Sequence, residues 1–149
     1  MASAKFPMRI LVASDGSGPS DTAVRLAGSL AASTGSELHV LHVALVSRYV
    51  HPDFLSEVQV QRIKDEAQER LDAEIERARE AGVEFSENHL RFGRADGEII
   101  KVAEEIGADL IVIGNRSGDA MSRILLGSDA ESIVRHAPCA VLVAREPET

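Results

Sequence analysis

Leu110-Ile111-Val112-Ile113-Gly114-Asn115-Arg116-Ser117-Gly118-Asp119-Ala120-Met121-Ser122-Arg123-Ile124-Leu125-Leu126-Gly127-Ser128 begins as a wholly apolar run and breaks into a glycine-bearing loop. It leads straight into a helix-like segment, Asp129 to His136. Glycines let backbone N–H groups approach a ligand closely, and a helix N-terminus favours anions. Strand, loop and helix start together read either as a phosphate cradle or as a plain corner in the chain.

Working outward, the same alternation of apolar strand and amphipathic helix fills the rest of the sequence. Arg9 to Ala13 reads as a first strand. A helix follows with Ala23, Leu26, Ala27, Leu30 and Ala31 on one stripe, stopped by Gly35. Leu38 to Val43 reads as a second strand, and Ala44 to Phe54, which contains Pro52, as a surface loop. Leu55 to Ala81 predicts a long charged helix with Ile63, Ala67, Leu71, Ile75 and Ala78 inside, ended by Gly82. Val83 to Phe92 holds a third strand with weak alternation. Asp96 is placed to cap a helix carrying Ile99, Ala103 and Ile106, which Gly107 terminates. Leu110 to Ile113 and Ala140 to Ala144 complete five strands. Such an order predicts a single-domain α/β fold, 1–149, with a five-stranded, mostly parallel sheet, helices on both faces and right-handed crossovers. Residues 1–7 are expected to form a flexible lead-in.

Composition narrows the function classes. The 149 residues suit one domain with a proper core. With no Trp, one Tyr and four Phe, that core must be built from Val, Ile, Leu and Ala, as in buried parallel sheets. A formal charge of −8 argues against a nucleic-acid partner, which needs a basic surface. The single cysteine, Cys139, allows no intrachain disulfide and reads as a small buried residue. Neither a signal peptide nor a bilayer-spanning run is visible, so a cytoplasmic location and no membrane partner are expected.

Open parallel sheets bind ligands beyond the carboxyl ends of their strands. Asp15 stands there, either to meet ribose hydroxyls or a magnesium ion, or to cap the turn into the first helix. No Gly-Lys pair exists, which excludes a P-loop. Gly16-Ser17-Gly18 starts like a dinucleotide fingerprint, but Asp21 stands where its third glycine belongs. Ser128-Asp129-Ala130-Glu131 has capping-box spacing, with Ser128 at the N-cap, which accounts for Ser128 without any ligand. Arg116 offers charge to a phosphate or is merely solvated. No catalytic set stands out: His39 and His42 point to opposite faces of a strand, and His89 and His136 lack a Cys or carboxylate partner at ligand spacing.

Taken together, Ile10 to Ser17, Ala108 to Gly114, Leu125 to Ser128 and His136 to Val143 resemble the universal stress proteins over nearly the whole chain. The resemblance implies a Rossmann-like fold. ATP-binding members carry glycine, two residues, glycine, nine residues, then glycine with Ser or Thr. Gly114, Gly127 and Ser128 fit that pattern, while Ser117 takes the middle position and Gly118 follows it. Asp129 adds a negative charge in the first turn of the helix, which suits the dipole and competes with an anionic ligand.

By this resemblance Ala13 and Val43 surround adenine. Asp15 contacts ribose or metal, and Gly114, Ser117, Gly127 and Ser128 hold ribose and phosphates, with Ser14, Arg116 and Gly118 counted among the binding residues beside them. The implied ligand is ATP, with AMP and ADP as alternatives, and Mg only with nucleotide. A homodimer through Ala140 to Ala144 is likewise implied, since pairing buries an apolar edge. The expected function is a nucleotide-binding stress-response switch. The alternatives are a dimeric interaction module without nucleotide, or a slow ATPase.

Overall fold

The computed structural model describes residues 5–16, 18–44, 55–115 and 127–145. Its elements are β1 (Arg9–Ala13), α1 (Gly18–Thr34), β2 (Glu37–Ala44), α2 (Glu57–Glu80), β3 (Glu87–Phe92), α3 (Ala95–Ile106), β4 (Leu110–Gly114), α4 (Ser128–His136) and β5 (Ala140–Ala144). The strands lie in the order β3-β2-β1-β4-β5, and every neighbouring pair is parallel. The sheet is thus all-parallel. Near-continuous apolar runs such as Ile10-Leu11-Val12 and Leu110 to Ile113 are what burial on both faces demands.

Alternate residues of each strand feed two cores. Ile10, Val12, Leu38 and Val40 meet Ala23, Val24 and Ala27 of α1 and Leu71 and Ala78 of α2. Leu11, Leu41, Ile111 and Ile113 meet Ile99, Val102 and Ala103 of α3 and Ala130 and Ile133 of α4. At the lower end the Asp109 carboxylate accepts from the backbone N–H of Met8 at 2.8 Å and of Arg9 at 2.9 Å, tying the starts of β1 and β4 together. Pro7 is buried and its carbonyl accepts from Ser36 Oγ.

Several local expectations are corrected. Leu26 is exposed, because the buried stripe of α1 is turned toward Ser20 and Val24. On that side Gly28 meets Val83 so closely that an added Cβ would lie 2.5 Å from Val83 Cγ2. The third strand expected within Val83 to Phe92 occupies Glu87–Phe92, and Val83 lends its side chain to the α1–α2 core. The long helix runs Glu57–Glu80 and opens on a capping box, Ser56 with Gln59. Asp96 does not cap α3. Arg94 holds the N-cap, and Asp96 lies in the first turn, buried, accepting from Ser132 Oγ of α4 at 2.7 Å. Cys139 is half-buried rather than buried, and burial together with Asp109 pushes its thiol up. Gly107 ends α3 at φ 68°, as its position predicts.

Candidate functional site

Chain direction across the sheet reverses at one place. From β1 the chain steps outward to β2 and β3, then crosses back to β4 and β5 on the other side. The carboxyl ends of β1 and β4 flank that reversal, the usual ligand site of such sheets. Register decides what gathers there. Ala13 pairs with Leu41, and Val12 with Val112. Carrying those registers on brings Asp15 level with Val43, and Ser14 level with Gly114.

The end of β1 is held by a buried polar network. Ser14 is buried; its N–H donates to the Leu41 carbonyl at 2.9 Å, and its Oγ lies 3.4 Å from Ser20 Oγ and accepts from Gly16 N at 3.3 Å. His42 Nδ1 lies 2.9 Å from the Ser14 carbonyl oxygen, which can only accept, so His42 carries its proton on Nδ1. Asp15 N donates to Ser20 Oγ at 3.3 Å, while the Asp15 side chain faces out. Gly16 turns the chain at φ 82°. Beneath them Glu74 of α2 is buried, paired with Arg77, which also stands 3.9 Å from Asp21. Burial and the nearby Asp21 charge push the Glu74 carboxyl above its usual range, against the pull of Arg77 and Ser14.

The β4 side supplies a mouth and a helix end. Asn115 N donates to the Ala144 carbonyl at 3.0 Å, and Gly127 N donates to the Asn115 carbonyl at 3.0 Å. Gly127 is the N-cap of α4, at φ −63° and ψ 158°, and no side chain caps the helix. The capping box expected at Ser128 is therefore absent: the helix begins one residue earlier, Ser128 lies inside it and is exposed, and Glu131 N bonds the Gly127 carbonyl at 2.9 Å. Among the described residues no side chain takes the first-turn N–H groups of α4, which are of the kind that receive an anion. Asn115 Oδ1 is buried with no hydrogen-bond partner among the described residues.

Of the residues singled out in the sequence, Ala13, Ser14, Asp15, Val43, Gly114, Gly127 and Ser128 lie at this carboxyl edge. Arg116, Ser117 and Gly118 lie outside the described residues, as does most of the expected loop from Ala44 to Phe54. Sequence reasoning missed Ser20, Glu74 and Asn115. Glu74 had a signal: it sits three residues after Leu71 and four before Ala78, a carboxylate on the apolar stripe. His42 and His39 do point to opposite faces, but His89 is not alone, since its Nε2 lies 2.9 Å from His39 Nδ1 and 3.9 Å from Glu87. Among the described residues no helix is long and apolar enough to cross a membrane.

Comparison with known proteins agrees with this architecture. The sequence profile of the universal stress protein family matches residues 7–145. A Staphylococcus aureus protein assigned to the universal stress proteins is 38% identical over 140 residues, covering 93% of this chain and 84% of its own. The solved structure of universal stress protein UspA from Lactobacillus plantarum superposes with a TM-score of 0.81 at 28% identity, covering 96% of this chain and all of its own. The universal stress protein from Archaeoglobus fulgidus in complex with dAMP has a TM-score of 0.65 at 26% identity over 92% of this chain and 97% of that one. A universal stress protein in complex with cAMP has 0.69 at 26% over 92% and 96%. The chain belongs to the universal stress protein family.

Proposed function

We propose that this protein is a cytoplasmic adenine-nucleotide-binding switch whose ligand is ATP, with Mg entering only together with the nucleotide. The observation that carries the reading is the α4 N-terminus, opened by Gly127 and capped by no side chain among the described residues, at the point where strand order reverses. Two family members solved with dAMP and cAMP support adenine as the base. In this reading Ala13 and Val43 flank the base, and Asp15 meets the ribose or the metal. Gly114, Gly127 and Ser128 receive ribose and phosphates, and Arg116, Ser117 and Gly118 are assigned to the same groups. Buried Ser14 acts as a positioning residue, holding the turn that presents Asp15. The helix end and the buried Asn115 Oδ1, neither of which has a side-chain partner among the described residues, fit a ligand rich in donors and acceptors.

β5 is an edge strand with half-buried Val141, Leu142 and Val143, which supports a homodimer formed by pairing it with its twin. Nucleotide acts as a switch in that dimer only by binding two of its states with different affinity.

Calorimetric titration with Mg-ATP and with AMP tests the reading, alongside the near-ultraviolet spectrum, where a protein without Trp cannot mask bound adenine. Saturable heat that disappears in Gly127→Val, with the dimer intact, is the expected result. No heat and no adenine absorbance would leave a dimeric interaction module. Phosphate release within hours that is lost in Asp15→Ala would make the protein a slow ATPase.

A further inference from the structure

We propose a second ligand site at the opposite, amino-terminal end of β2: a zinc-class divalent cation bound by His39, His89 and Glu87. The three residues come together through strand register alone. His39 pairs with Glu87 and Leu41 with His89, so all three side chains leave the same face, the one covered by α3, at the β3 edge of the sheet. His39 Nδ1 stands 2.9 Å from His89 Nε2 and 3.8 Å from Glu87 Oε2, and the latter two are 3.9 Å apart. The point equidistant from the three atoms in their own plane lies about 2.1 Å from each. Drawing the exposed Glu87 carboxylate inward toward about 3.3 Å lets an ion at the Zn–N and Zn–O bond length leave that plane for a tetrahedral position. Ligand atoms around a tetrahedral ion are about 3.3 Å apart at such bond lengths, and the observed separations bracket that value. Among the described residues this is the one group of three that brings metal-ligating atoms so close.

The surroundings are built as a metal site requires. His39 is buried, and its other nitrogen, Nε2, faces the Glu37 carboxylate at 3.5 Å; Arg9 in turn holds Glu37. A carboxylate on the far nitrogen fixes the ring and leaves Nδ1 as the lone-pair donor. The nearby Arg91 is paired with Glu105 on α3, so its charge is not turned on the site alone. The Glu87 side chain is 65% exposed and the edge open, which leaves a fourth position for water. Two imidazoles and one carboxylate suit zinc and its first-row neighbours rather than magnesium or calcium. Val43 is four residues further along β2, about 13 Å away, so the site is separate from the proposed nucleotide site.

Nucleotide-free, tag-free protein titrated with zinc against a chromophoric chelator tests this independently of ATP. One equivalent is expected to bind. Affinity should fall by more than about 100-fold in His89→Ala and about 10-fold in Glu37→Gln, with Cys139→Ala and His136→Ala unchanged. Glu87→Gln, at an exposed position that leaves folding intact, should also weaken binding. The proposal is overturned if the protein takes up less than one equivalent. It is overturned equally if folded His89→Ala and Glu87→Gln keep full affinity, or if Cys139→Ala abolishes it.

Discussion

Gly127 donates its backbone N–H to the carbonyl of Asn115 at 3.0 Å, which ties the residue after β4 to the N-cap of α4. The bond fixes where α4 begins, and with it where the N–H groups of its first turn lie. At φ −63° Gly127 occupies ordinary backbone space, which proline also adopts. Gly127→Pro should therefore remove the bond without straining this residue. A stability loss of about 0.5–1.5 kcal/mol by chemical denaturation is expected, with weaker nucleotide binding. Gly127→Ala should keep the bond, and an equal loss of stability in both variants would show that the bond contributes nothing.

The Asp96–Ser132 contact joins α3 to α4. The Ser132 hydroxyl first, then the Gly97 backbone and Arg94, hold the Asp96 carboxyl below its usual 3.8, against desolvation. A depressed folded-state value means that its stabilisation is complete above the unfolded value and is lost as pH falls through the folded one. Ser132→Ala should flatten that acid-side loss and cost about 1–2 kcal/mol at neutral pH. Denaturant midpoints between pH 2 and 7 measure both effects.

Glu74 titrates in the opposite sense. Its carboxyl is raised above 4.5 chiefly by burial, so the folded protein binds more protons than the unfolded chain just above that pH. Stability then declines as pH rises through the interval. Glu74→Gln carries no such titration. The difference in melting temperature should shift steadily toward the variant from pH 4 to 7, and a pH-independent difference would refute the assignment.

Gly28 and Val83 are fitted to each other. A methyl at residue 28 would stand 2.5 Å from Val83 Cγ2 and 2.8 Å from Cγ1. Gly28→Ala should cost about 1–3 kcal/mol despite better helix propensity. Adding Val83→Ala should recover part of that loss, so a double-mutant cycle should give a favourable coupling energy. Strict additivity would mean that the helix moves aside freely.

Much of the architecture was legible because it is local. Arg9–Ala13, Ala140–Ala144 and the ends of α1 and α3 at Gly35 and Gly107 agree with the sequence reading. Misreadings arose where a tertiary partner outweighed a local signal. Asp96 has good N-cap chemistry, but Ser132 on another helix claims its carboxylate. Ser128 has capping-box spacing, but the bond from Gly127 to Asn115 starts the helix one residue earlier. Glu87 and His89, two apart on a strand, share a face, yet nothing local shows that His39 lies opposite them.

The sequence by itself determined the five strands, the four helices and the carboxyl-edge residues, because apolar period and turn chemistry act over a few neighbouring residues. Only the tertiary structure decided which strands are neighbours. From that order follow the reversal between β1 and β4, the burial of Glu74, and the meeting of His39 with His89 across 50 residues. Those relationships depend on parallel register and on which helix covers which face, and no short-range pattern encodes either one.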